Sequence, residues 1–267
     1  MVDWGGSGRP LVLLAGLGNT VHTFDKFAPK LTGKYHVYGI TRRGFGDSSV
    51  PASGYSLQLI RPILMGHSIA GEELSSIGSR HPEKVAGLIY LDAGYAYAYY
   101  DRSRGDLLID SLALQKNLEQ LVPGRGPQDQ TQLIKELLES LPQLQKDLQE
   151  KQKELQAAPA PSQAAPALPA PAQEILAGGQ KYTEIRVPVL AIYAVPHDRG
   201  ASAQNDPAAR AAAEAADAAR TEAQAKAFEK GVPSARVVRI AHATHFVFVS
   251  NEADVLRKMY AFLGSLP

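Results

Sequence analysis

An α/β fold, with a mostly parallel sheet and helices on both faces, is what this sequence predicts, on three observations. Short apolar, β-branched runs alternate with longer stretches of helical periodicity, the pattern of strand–helix–strand units wound into a parallel sheet. The length, 267 residues, suits one large domain or one domain carrying an insertion. Hydrophobic residues make up 45% of the chain and charged residues 21%, which excludes wholesale disorder and fibrous classes.

The elements follow in order. Leu11–Ala15 is the first strand, followed by a glycine-rich turn, Gly16-Leu-Gly-Asn. Phe24 to Leu31 reads as a helix, with Phe24, Phe27, Ala28 and Leu31 on one face. Tyr35–Ile40 and Pro62–Met65 are strands. Ile69–Arg80 is a helix stopped by His81-Pro82. Val85–Leu91 and Val187–Ala194 are strands. Ala208–Lys230 is an alanine-rich helix with Asp206 as its cap, Pro207 as its first residue and Gly231 as its stop. Ala235–Ile240 is the last strand and Ala253–Leu263 the last helix.

Residues 95–183 break the alternation. They open on the tyrosines 95, 97, 99 and 100. A leucine stripe follows, Ile134, Leu137, Leu141, Leu144 and Leu148 at 3-4-3-4 spacing. Pro142 interrupts it, and the run is too short for a coiled coil, so the stripe reads as the packing face of a single helix on the main domain. Pro159, Pro161, Pro166, Pro169 and Pro171 then sit among alanines, which reads as an extended linker because proline lacks the backbone donor. Residues 1–94 and 184–267 are therefore two parts of one core domain, and 95–183 an inserted helical cap with an Ala/Pro-rich linker.

Composition removes several function classes. Lysine plus arginine is 28 against 27 for aspartate plus glutamate, so there is no electrostatic footprint for nucleic acid or an anionic membrane. There are no cysteines, which excludes disulfides, a thiolate nucleophile, a zinc ribbon and an iron–sulfur cluster. No apolar run reaches the ~18 residues of a membrane-spanning helix. The start, Met1-Val-Asp-Trp-Gly-Gly, lacks a signal-peptide pattern. A soluble protein is expected, and the compartment is left open.

Gly66-His67-Ser68-Ile69-Ala70-Gly71 is the strongest local signal. It follows a strand and opens a helix. A serine at so tight a turn is pushed out of the sheet edge, and small neighbours let the backbone fold sharply. The helix N-terminus beneath it favours developing negative charge. A serine hydroxyl is a weak nucleophile until a base takes its proton. A histidine can do so near neutral pH, and a carboxylate can hold its imidazole in the right tautomer. His197 beside Asp198 is too little for a metal site.

These motifs, taken in order, resemble the α/β-hydrolase superfamily on its serine esterase side. Ala15-Gly16-Leu17-Gly18 is similar to the family's oxyanion loop, although alanine stands where histidine is usual. Arg43-Gly44-Phe45-Gly46-Asp47-Ser48 resembles its Arg-Gly-x-Gly-x-Ser loop, and Gly66–Gly71 its serine elbow. His81-Pro82-Glu83-Lys84-Val85 leading to Asp92, the Val187–Asp198 segment and Ala243-Thr244-His245-Phe246 resemble later landmarks. The resemblance covers 11–94 and 187–263. It implies a triad of Ser68, His245 and Asp198, with His242, three residues earlier, as the rival histidine and Asp92, at the end of the Val85–Leu91 strand, as the alternative acid, and an oxyanion hole from the backbone N–H groups of Leu17 and Ile69. It further implies a small acyl substrate, cleaved through an acyl-enzyme on Ser68 without metal or cofactor. Serine at 68 argues against dehalogenase or epoxide hydrolase chemistry, whose relatives use aspartate there. Tyr95 and Tyr97 would wall an apolar pocket. A non-catalytic relative, and an amidase, lactonase or cofactor-free haloperoxidase, are the other readings.

Two departures stand out. Only ten residues precede Leu11, so the family's first strands are expected to be missing. Between Ile40 and Pro62, once the Thr41–Ser56 turn region is set aside, Leu57–Arg61 leaves five residues for the return. Five helical residues rise only ~7.5 Å against the ~20 Å of a strand, so one crossover helix is expected to be missing as well. Uncovered sheet surface and an unpaired edge at Tyr35–Ile40 would then favour self-association.

Overall fold

The computed structural model describes residues 1–41, 45–46, 61–124, 130–157, 170–198, 200 and 207–266. The Arg43–Ser48 loop apart from Phe45 and Gly46, the return at 57–60, the Asp206 cap and the prolines at 159–169 lie outside them. The chain divides into two compact units, 1–99 with 182–267, and 100–181.

The first unit is built on a seven-stranded sheet. Its strands are β1 (Val2–Gly5), β2 (Pro10–Leu14), β3 (His36–Ile40), β4 (Ile63–His67), β5 (Gly87–Leu91), β6 (Val189–Ala194) and β7 (Ala235–Ile240). The spatial order is β1-β3-β2-β4-β5-β6-β7. Every neighbouring pair is parallel except β1 with β3. β4, β5 and β6 are buried at every residue, as a sheet covered on both faces requires. One face packs Leu74 of α1 (Ala70–Arg80) and Phe228 of α5 (Pro207–Gly231) with Tyr90 and Tyr193. The other packs Phe24, Phe27 and Leu31 with Phe248, Met259 and Phe262, from α6 (Val247–Ser250) and α7 (Glu252–Leu263). The predicted helix at 24–31 is instead two short 3₁₀ turns, Val21–Phe24 and Ala28–Leu31, with the four expected apolar residues buried. Pro29 has no N–H to return to Asp25, so an α-helical ladder is broken there.

β1 corrects the expectation of a missing N-terminal strand and an open edge at β3. Val2 and Asp3 lie opposite Gly39 and Tyr38. Four residues, Val-Asp-Trp-Gly, are too few to show a period, so only the partner strand reveals them as a strand.

The second unit holds α2 (Leu107–Glu119), α3 (Thr131–Ala157) and α4 (Ala170–Ala177). Asp106 caps α2, its carboxylate accepting from Ile109 N at 3.1 Å. Tyr100 Oη donates to both oxygens of the buried Asp110, at 2.8 and 2.9 Å, and Lys181 pairs with the same carboxylate. α3 runs unbroken through Pro142. Leu133 and Leu137 are buried, whereas Ile134, Leu141 and Leu148 of the predicted stripe are exposed. Pro171 stands in the first turn of α4 rather than in a linker, where its missing N–H costs nothing. No helix of the described residues is long and apolar enough to cross a membrane.

Candidate active site

The candidate residues gather at the C-terminal ends of β4, β5, β6 and β7, the edge where open parallel sheets place their ligands. Ser68 leaves β4 with φ +56°, a left-handed conformation that costs a serine energy and persists only where its surroundings enforce it. Those surroundings are close. A Cβ on Gly66 would lie 2.8 Å from Ala70 Cβ, and one on Gly71 would lie 1.9 Å from the carbonyl oxygen of Ala93. The turn into α1 closes because both positions are glycine. Ser68 is half-buried, and its N–H donates to Leu91 O at 3.3 Å, which ties the turn to β5.

The Gly16 loop lies against this turn. A Cβ on Gly16 would sit 2.8 Å from His67 Nδ1 and 3.2 Å from Ser68 Cβ. The N–H groups of Leu17 and Ile69 have no protein acceptor among the described residues.

The carboxylate beside His245 is Asp92. His245 Nδ1–H donates to Asp92 Oδ2 at 2.6 Å, since a carboxylate can only accept. Asp198, the first candidate for the acid, is exposed and turned away. Its N–H donates to Ala243 O at 2.8 Å, and its Oδ1 accepts from Gly200 N. The physical reason is register. His197 pairs with Ala243 in an isolated parallel bridge beyond β6 and β7. That bridge directs His197 towards Asp92 and the next residue outward. His242 faces Glu214, 3.6 Å away, rather than the serine. Ser68 Oγ and His245 are not hydrogen-bonded to each other, a spacing common in hydrolytic sites without substrate.

Asp92 is fully buried, at 0% exposure, and every contact on it is a donor. His197 Nε2–H donates to Oδ2 at 2.7 Å, and Tyr95 Oη and Ala194 N donate to Oδ1 at 2.9 and 3.1 Å. Burial pushes the carboxyl up, but the bonds from His197 and His245 outweigh it and bring Asp92 down to about 2. Tyr95 is thus spent on the acid rather than free in a pocket wall. The ring of Tyr97 lies 5.9 Å from its own. Asp92, His197 and His245 present donor atoms within 4.8 Å of one another. Both imidazoles reach the one oxygen at hydrogen-bond length, so protons hold this cluster together.

Two residues here had no part in the sequence reading. His197 Nδ1–H donates to Asp217 Oδ2 at 2.8 Å, and Arg220 holds the other oxygen of Asp217 at 2.7 Å. Asp217 sits within the alanine-rich α5, and nothing in its sequence neighbourhood marks it. His67, fully buried, donates through Nε2–H to His245 O at 3.0 Å, and its ring lies tilted against those of His245 and Phe246, 4.5 and 4.7 Å away. Burial, then the neighbouring His245, lower it to about 4. The folded chain therefore refuses a proton that the unfolded chain accepts below about 6.5. Stability should be full above that pH and fall as pH is lowered towards 4, by up to about 3 kcal/mol from this group. A His67→Gln variant, which keeps a donor for His245 O, should lose stability less steeply in urea melts between pH 7.5 and 4.5. Equal slopes for the two proteins would remove His67 as the cause.

A parallel sheet with this strand order and a serine turn between β4 and α1 invites comparison with proteins already known. A fluoroacetate dehalogenase of Burkholderia is 30% identical over 116 residues, 36% of this chain and 38% of the dehalogenase. That protein and a second curated relative, from Mycobacterium phage D29, are matched over only 38% and 40% of their own lengths. Among solved structures, a marine microorganism esterase superposes with a TM-score of 0.54 at 19% identity, over 98% of this chain and 97% of the esterase. The Bacillus megaterium epoxide hydrolase does so with a TM-score of 0.51 at 16% identity, over 99% and 96%. At such identities the likeness is one of fold. The model of the alpha/beta hydrolase family matches residues 11–258, nearly the whole sheet and all the candidate residues at its C-terminal edge, and this chain belongs to that family.

Proposed function

We propose that the protein is a serine hydrolase that cleaves a carboxylic ester or a related acyl compound. The observation that carries this reading is the left-handed Ser68 at the β4–α1 turn, on the same sheet edge as a His245 already hydrogen-bonded to a buried carboxylate. Ser68 Oγ attacks the acyl carbon while His245 Nε2 takes its proton. Asp92, in place of Asp198, holds the imidazole in the tautomer with Nδ1 protonated and stabilises the cation it becomes. The unpaired N–H groups of Leu17 and Ile69 receive the oxyanion. His245 returns the proton to the leaving alcohol, and a water activated by the same nitrogen releases the acid.

The proteins it resembles also include a fluoroacetate dehalogenase and, in fold, an epoxide hydrolase. Serine at 68, where such relatives use aspartate, favours acyl chemistry. Tyr97 is our candidate for shaping the acyl pocket. The test is labelling by a fluorophosphonate probe. The wild type should label at Ser68 and Ser68→Ala should not. No labelling of a folded wild type, or equal labelling of both, would overturn the assignment.

A further inference from the structure

We infer that His197 is a positioning residue for the His245–Asp92 pair: an imidazolium clamped between Asp92 and Asp217 that fixes the shared carboxylate. Its catalytic meaning rests on the serine-hydrolase reading above.

The charge follows from geometry. Nε2 of His197 faces Asp92 Oδ2 at 2.7 Å, and Nδ1 faces Asp217 Oδ2 at 2.8 Å. Neither carboxylate can donate, so both ring nitrogens must carry protons, and a neutral imidazole has only one. Both acids are buried, at 0% and 3% exposure. The second one is built to stay. Asp217 also accepts from the backbone N–H of His197 at 3.0 Å and from Arg220. Among the described residues, the titratable and charged groups facing His197 are Asp92 from the end of β5, Tyr95 Oη at 3.4 Å, Asp217 with Arg220 behind it on α5, and the His245 ring at 6.1 Å. The bonds to Asp92, against some desolvation, raise the imidazole above its ordinary range, and Asp217 adds to them.

A triad acid normally gives its whole charge to one imidazole. Here a second imidazole shares the same oxygen, with His197 Nε2 at 2.7 Å and His245 Nδ1 at 2.6 Å, so two rings rather than one fix the orientation of Asp92. Asp217 reaches the reaction only through His197.

Histidine-ring ¹⁵N NMR across pH tests this without relying on turnover. In the wild type at pH 7 the two nitrogens of His197 should both show the protonated, imidazolium signature. In Asp217→Asn, which takes one anion from the clamp, that doubly protonated signature should be lost at a pH where the wild type keeps it. In His197→Ala, which leaves Asp92 without this donor, kcat for an aryl ester should fall at least several-fold with KM little changed, and His197→Gln, which restores a donor to Asp92, should recover most of the loss. A neutral His197 in the wild type, an Asp217→Asn protein whose His197 keeps the signature to the same pH, or a folded His197→Ala with unchanged kcat, would overturn the inference. If His197→Ala does not fold, the wild-type spectrum and Asp217→Asn decide. A wild type with the expected spectra and no ester turnover would remove the hydrolase reading and leave the clamp standing.

Discussion

Ser68→Ala should lose a thousandfold or more in turnover of a short-chain aryl ester, with His245→Ala losing as much and the double variant little more. The size follows from what each residue supplies. Without the hydroxyl there is no atom to acylate, and without the imidazole the hydroxyl remains an ordinary alcohol. The two act as one unit, so the second removal has almost nothing left to take. Initial rates over a range of enzyme concentration, with melting curves to confirm folding, make the check. A Ser68→Ala protein retaining more than about a tenth of the wild-type rate would place the nucleophile elsewhere, since losing such a residue costs orders of magnitude.

Asp92→Asn should lower kcat by about 10³- to 10⁴-fold, while Asp198→Asn stays within a few-fold. An amide at 92 can offer His245 Nδ1 a donor instead of an acceptor, which favours the wrong tautomer. It also strips His197 of one of the two anions that hold its charge. Asp198 touches neither imidazole, and its carboxylate serves only the local turn at Gly200. Asp92 also receives the Ala194 and Tyr95 donors, so its variant should melt earlier as well, and rates belong at a temperature where both variants are folded. The reverse ranking would return the acid to Asp198.

The sheet and the serine turn were legible because they depend on local signals. Period-two and apolar runs mark strands, and a serine between small residues at a strand-to-helix boundary marks the elbow. What the sequence could not show was register across long separations. Asp198 and His197 are adjacent, and only the bridge between His197 and Ala243, 46 positions on, decides which of them faces inward. Asp92 was within reach, as a lone acid closing the apolar run Gly87–Leu91, but its claim depended on where His245 would land. Asp217 lay beyond sequence reasoning, because a carboxylate among alanines on a helix ordinarily meets water. β1 escaped for a different reason, since four residues carry no period.

The order of the strands also bears on when the site comes into being. β4, β5, β6 and β7 are neighbours in space in the order in which they occur along the chain. They bring Ser68, then Asp92, then His197, then His245. Contacts between distant parts of a chain form late, because closing the loop costs entropy before it is repaid. During synthesis the N-terminal part can dock first, with the elbow and the acid present and no base between them. The β6–β7 pair must then close a span of some forty residues before His245 reaches Asp92. On the proposed mechanism, Ser68 has no activating imidazole until that last docking, so the growing chain carries its serine in a harmless form.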